Sequence, residues 1–134
     1  MNEDAFVGVT ADAVVEINKD ELKRTGGAGH VLVHADLLDS ALKSPHQTLS
    51  GQLLVPGTLE RICLTYEKLI LNHPFYDGNK RTATGVLLGL LAFNGYEFVG
   101  DDDDLVQAAV GIANGQWTHR EAMKWIRARV ISDS

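Results

Sequence analysis

Residues 73 to 83, His-Pro-Phe-Tyr-Asp-Gly-Asn-Lys-Arg-Thr-Ala, bring most kinds of phosphate-handling side chain together in one short stretch. His73 could accept a hydroxyl proton, because an imidazole titrates near neutrality. Asp77 offers hard carboxylate oxygens of the kind that hold a magnesium ion against phosphates. Gly78 and Asn79 could bend backbone amides around an anion, and Lys80 and Arg81 could neutralise its charge. If Asn79 begins a helix, its first amides point into the loop and the helix dipole adds partial positive charge there. Lys80 and Arg81 then occupy the first turn, where the dipole disfavours cations by a few tenths of a kcal/mol each. A bound phosphate would offset that cost. Singly, each residue has an ordinary reading, His-Pro as a helix stop and Asp-Gly-Asn as a turn. Their conjunction between two helices points to a site, with Phe75 expected to plug into the core and anchor it.

Two strong amphipathic patterns flank the loop. Before it, Leu59, Ile62, Cys63, Tyr66, Leu69 and Ile70 follow the spacing of one buried helical stripe, ended by His73-Pro74. After it, Asn79 to Asn94 places Ala83, Val86, Leu87, Leu90 and Leu91 on one face, and Gly95 is a natural stop. Gly85 and Gly89, four apart, would let a neighbouring helix approach closely. Upstream, Thr10 caps a helix whose apolar face includes Ala13, Val14 and Ile17, stopped by Gly26 and Gly27. Val31 and Val33 alternate with His30, Leu32 and His34, which suits a short extended segment or flap whose edge could pair with a target peptide. Asp36 opens a short helix closed by Pro45, and 46–57 reads as a surface loop.

Downstream, Tyr96 to Val99 suits a brief extended piece. Asp101 to Asp104 precede a helix expected to bury Leu105, Val106, Ala109, Val110 and Ala113. This acidic run lacks the spacing of a calcium loop and suits a helix start. Thr118 and Glu121 form a capping box for the last helix, with Trp117 and Trp125 as staple and core residues. Cys63 falls on a buried face and reads as an inert packing residue. His30 and His34 lie in a non-helical segment, which argues against a metal pair. The expected architecture is a compact all-α single domain over 1–134, with about six helices.

Composition narrows the class. The chain has 134 residues, 45% hydrophobic and 22% charged, with a formal net charge of −6. That balance suits an ordinary globular domain and excludes a generic nucleic-acid binder, which needs a broad basic surface. A lone cysteine rules out an internal disulfide framework and fits a reducing cytosol. The opening residues lack the basic and apolar regions of a signal peptide, and no apolar run approaches a membrane span. These features predict a cytoplasmic protein without membrane contact.

The stretch His73-Pro74-Phe75-x-Asp77-Gly78-Asn79-Lys80-Arg81-Thr82-Ala83 resembles the signature of the Fic/Doc superfamily, and specifically its Doc (death-on-curing) branch. The likeness extends to Leu37-Leu38-x-Ser40-Ala41-Leu42 with Pro45 and Gln47, and to Asn94-Gly95-Tyr96. It covers about residues 12 to 130 in layout. The resemblance implies an all-α Fic-type fold and group transfer from ATP, with magnesium, to a protein hydroxyl in a bacterial cytoplasm. It implies His73 as general base, Asp77 as magnesium ligand, Gly78 and Asn79 as anion nest, and Lys80 and Arg81 as phosphate contacts.

Two departures from the AMP-transferring branch select the reaction. That branch reads Gly-Asn-Gly-Arg with a second arginine three residues on, whereas this chain has Lys80 in place of that glycine and Thr84 in place of the arginine. Both match the Doc branch, in which the γ-phosphate faces the acceptor. The implied activity is that of a toxin kinase acting on Ser or Thr, with elongation factor Tu as the implied target and translation as the process blocked. The alternatives are an AMP-transferase on the same scaffold and a catalytically silent nucleotide- or protein-binding module. Autoinhibited AMP-transferases carry Ser or Thr four positions before a glutamate, and none of the glutamates here does. The brake is therefore expected from a partner, a small antitoxin whose disordered tail folds on the toxin.

Overall fold

The computed structural model describes residues 6–27 and 29–132. Helix α1 (Ala11–Thr25) begins where Thr10 Oγ1 accepts the Ala13 amide at 3.2 Å and ends at Gly26, whose φ of 68° is left-handed. Its buried stripe is Val14, Asn18 and Leu22, so a polar residue lies in the middle of the packed face. Helix α2 (Ala35–Lys43) runs into a 3₁₀ turn over Ser44–His46, with Pro45 near its start. The stretch expected as a plain loop holds a minimal antiparallel hairpin, β1 (Thr48–Leu49) with β2 (Gln52–Leu53).

Helices α3 (Thr58–Asn72) and α4 (Asn79–Phe93) make the most extensive helix pair and carry the loop between them. On α3, Ile62, Cys63, Tyr66, Leu69 and Ile70 are buried as the spacing requires, and on α4 so are Ala83, Val86, Leu87, Leu90 and Leu91. Arg61, Thr65 and Glu67 are buried on α3 as well, which an apolar pattern does not announce. Helix α1 packs across α4 at Gly85, where a Cβ would lie 3.0 Å from Ile17 Cγ2. Gly89 differs from expectation, because nothing lies within 4 Å of a Cβ placed there.

Strand β3 (Tyr96–Phe98) follows α4 and pairs antiparallel with β4 (Val130–Ser132), a closing strand that local pattern does not reveal. Between them, α5 (Asp102–Ala113) starts from a capping box in which Asp101 Oδ1 accepts the Asp104 amide and Asp104 returns the favour. The acidic run is thus a helix start. Helix α6 (His119–Arg127) has the expected Thr118–Glu121 capping box. Trp117 lies over Gly111, where a Cβ would meet indole Nε1 at 2.6 Å, and its ring faces Trp125 at 6.0 Å.

The inner face of α5 is only partly the one expected. Leu105, Ala108, Ala109 and Ile112 are buried, whereas Val106 is 61% exposed and Val110 40% exposed, and Ala113 is exposed. A run of apolar residues around much of the helix supplies two possible stripes, and α3, α4 and α6 together cover only one of them. Among the described residues six helices carry the fold, with two small strand pairs at its margins. No helix among them is long and apolar enough to cross a membrane.

Candidate active site

The loop between α3 and α4 opens on a strained residue. His73 terminates α3 in the left-handed region, at φ 50° and ψ 56°, and Pro74 prevents the helix from continuing. Phe75 is only 2% exposed and packs its ring against that of His30 at 5.7 Å, the anchor expected of it. Asn79, the first residue of α4, reaches back across the turn. Its Oδ1 accepts the Phe75 amide at 2.9 Å and its Nδ2 donates to the Phe75 carbonyl at 2.8 Å. The side chain of Asn79 therefore closes the loop, and any contribution to an anion nest comes from its backbone.

The segment read as a flap is extended and is paired along one edge with this loop. Val33 and His34 donate to the Pro74 carbonyl at 2.9 and 3.0 Å, Tyr76 donates to the Val31 carbonyl at 2.9 Å, and Leu32 bridges Phe75. Ala28, at the start of that segment, lies outside the described residues. Val31 and Val33 are each about half exposed.

From α1, the buried Asn18 ties these pieces together. Its Nδ2 donates to the Asp77 carbonyl at 2.9 Å and to Thr82 Oγ1 at 3.0 Å, while its Oδ1 meets His30 Nδ1 at 2.7 Å. His30 is thus committed to the loop's support. The reading of the sequence missed Asn18. The available signal was an amide one turn from Val14 and one turn from Leu22, on a stripe that is otherwise apolar.

At the start of α4 the backbone turns on a glycine. Gly78, at φ 75°, is the N-cap of α4 and supplies no capping side chain. A Cβ there would meet Asn18 Nδ2 and Leu22 Cδ2 at 3.3 Å each, so the backbone favours glycine and a side chain would also push these neighbours aside by a few tenths of an ångström. The ladder of α4 opens with Thr82 donating to Gly78 at 2.8 Å, and the amides of Asn79, Lys80 and Arg81 precede it. Asp77 Oδ1 accepts the Gly78 amide at 2.7 Å. Its Oδ2 lies 2.9 Å from where a Cβ on Gly27 would stand, so Gly27 leaves the room that this oxygen occupies. One carboxylate beside the first amides of a helix is a donor set that would suit magnesium, an ion usually held by one or two carboxylates plus substrate phosphates.

His73, Asp77, Gly78, Asn79, Lys80 and Arg81, all singled out from sequence, line one cleft of ≈ 240 Å³ together with Tyr76. Lys80 and Arg81 also face a second cleft of ≈ 440 Å³ between α1, α4 and α5. Its walls include the exposed apolar residues Leu88, Val106 and Val110 and the ion-paired Glu21 and Arg24. Thr84 donates to the Lys80 carbonyl at 2.9 Å and borders the Tyr66 phenol, whose burial pushes its pKa up and keeps it neutral.

The sequence profile of the Fic/DOC family matches residues 8–91 of this chain. The chain belongs to the Fic/DOC family. The matched Fic/DOC region takes in α1 through most of α4, and so every residue of the loop cleft. The chain is also similar to Toxin Doc of Mycolicibacterium smegmatis, 34% identical over 67 residues. That likeness covers 50% of this chain and spans about half of the relative's length, 52%.

Proposed function

We propose that this chain is a Doc-like toxin that transfers the γ-phosphate of ATP to a Ser or Thr hydroxyl of a target protein in the bacterial cytoplasm. The observation that carries this reading is the uncapped, glycine-led start of α4 in one cleft with His73, Asp77, Lys80 and Arg81. Phosphoryl transfer asks chiefly for positioning and charge stabilisation. The amides of Asn79, Lys80 and Arg81, with the two cationic side chains, hold the phosphates. His73 takes the acceptor's proton as its oxygen bonds to the γ-phosphorus and ADP departs with the electrons of the broken P–O bond. Magnesium, when bound at Asp77, supplies further neutralisation of phosphate charge.

Phosphate is favoured over AMP as the transferred group by two residues. Lys80 fills the position where the AMP-transferring pattern has glycine. Thr84 stands where that pattern has a second arginine, and its hydroxyl is spent on the Lys80 carbonyl, so no second guanidinium clamp exists at this turn. Elongation factor Tu is the target that the family resemblance implies, with arrest of translation as the consequence. In an incubation with ATP, magnesium and bacterial translation factors, intact mass should show one phosphate-sized increment on a target. An AMP-sized increment would establish the AMP-transferase instead. Nucleotide binding with no transfer to any factor would leave a silent binding module.

Regulation is assigned to a small antitoxin whose disordered tail folds into the apolar cleft between α1, α4 and α5. An amphipathic helix in such a groove buries its apolar face and can reach Lys80 and Arg81 from the side. Val106→Glu should weaken this partner at least about 10-fold, since a buried unpaired charge costs several kcal/mol. The chain's own stability should hold, because Val106 is 61% exposed. Growth rescue by a co-expressed antitoxin reads the effect. Full rescue of the Val106→Glu toxin would place the brake elsewhere.

A further inference from the structure

On the side of α3 turned towards α6, three side chains of different chemistry meet away from the loop. Cys63 and Glu67 lie one turn apart on the buried face of α3, 1% and 6% exposed. His119 is the first residue of α6, with a side chain 44% exposed. Both neighbours address the same carboxylate oxygen, Cys63 Sγ at 3.4 Å and His119 Nδ1 at 2.6 Å from Glu67 Oε2. All the potential ligand atoms fall within 4.8 Å of one another. Neither Cys63 nor Glu67 takes any part in the chemistry of the loop.

We propose that Cys63, Glu67 and His119 form a binding site for a single zinc-class divalent cation. Zinc is bound by thiolate at about 2.3 Å and by imidazole nitrogen and carboxylate oxygen at about 2.0–2.2 Å. Tetrahedral angles then place the ligand atoms roughly 3.2–3.7 Å apart. The Sγ–Oε2 distance is already in that range. The Nδ1–Oε2 distance of 2.6 Å must open by roughly 0.7 Å, which His119 can supply because it is half exposed and begins its helix. The soft thiolate favours zinc over the magnesium of the phosphate site.

Charge supports the same occupant. In the metal-free state the thiol and the His119 ring both crowd a single buried carboxylate oxygen. The cation takes the place of these contacts. The thiol proton leaves to solvent, a neutral imidazole binds through Nδ1 with its one hydrogen on Nε2, and one thiolate plus one carboxylate leave the loaded centre with no net charge. A neutral cluster is what a buried position accepts at least cost. His119 also lines a cleft of ≈ 600 Å³ with Glu60, Arg120, Met123, Lys124 and Arg127, from which a water can complete four-coordination.

Cobalt(II) tests this directly. Cys63 is the chain's single cysteine, so a thiolate-to-cobalt charge-transfer band can have one source only. Metal-stripped full-length protein titrated with cobalt(II) should develop that band together with tetrahedral ligand-field absorption, saturating at one ion per chain and bleached by zinc. Cys63→Ser should abolish the charge-transfer band. His119→Ala should weaken binding at least ~10-fold, a scale on which even outer partners of a metal matter. Its circular dichroism should keep the folded signature, while its metal-free melting temperature should fall modestly because the buried Glu67 carboxylate loses a partner. Zinc should raise the melting temperature of the parent and not of His119→Ala. Absence of a thiolate band at saturating cobalt, or equal affinity in the folded His119→Ala protein, would overturn the proposal and leave a hydrogen-bonded buried carboxylate.

Discussion

His73→Ala is expected to lower the transfer rate by about 10²–10⁴-fold, the usual contribution of a positioned general base. The substitution is well controlled by the backbone. His73 sits at φ 50°, where any residue with a Cβ is disfavoured by roughly 1–2 kcal/mol. Alanine keeps the Cβ and therefore keeps that cost, so the two proteins should unfold at similar denaturant concentrations. His73 is also exposed, and its removal opens no cavity in the core. Time courses of intact target mass give the rate, and growth arrest on expression gives the biological counterpart. Equal rates or equal toxicity would remove His73 from the chemistry and with it the proposed reaction.

Asn79→Ala is expected to be the most damaging single change to the loop itself. It strips the partners from both the amide and the carbonyl of Phe75, a residue only 2% exposed. A buried polar group left unpaired costs about 1–3 kcal/mol, so the pair amounts to roughly 2–6 kcal/mol. Against a total stability of about 5–15 kcal/mol for a domain, that is a large fraction. Asn79→Asp separates the two bonds, because a carboxylate still accepts the Phe75 amide but cannot donate to the Phe75 carbonyl. Its loss should fall between the parent and alanine in urea unfolding. A loss below about 0.5 kcal/mol in Asn79→Ala, the size of an ordinary surface change, would mean that the loop is held by something else.

The helices that frame the site were legible because periodicity measures what burial selects. Every residue placed on the inner face of α4 from spacing alone is buried, and the loop's chemistry was visible as residue types. Three things escaped. Part of the stripe of α5 was misassigned because an apolar residue signals a wish for cover and does not say what supplies it. Val106 and Val110 remain exposed. Strand β4 escaped because its partner β3 lies far away in sequence, and short strands carry little pattern of their own. Asn18 and Glu67 escaped because a polar residue inside a buried stripe looks like a break in the pattern. Asn18 reaches groups 59 and 64 residues away, and Glu67 meets His119 across 52. A buried polar residue without a local partner is itself a sign of a long-range one.

Lys80 and Arg81 border both clefts, the one that faces the loop and the apolar one beside α5. On the proposed reading, two ligands draw on the same pair of side chains, and their binding free energies cannot be independent. Whatever factor a nucleotide imposes on the partner's affinity, the partner must impose on the nucleotide's. A partner that takes hold of these cations would release more readily as ATP accumulates and grip harder as it falls. The cell's energy charge would then enter the strength of inhibition through two residues, without a dedicated sensor.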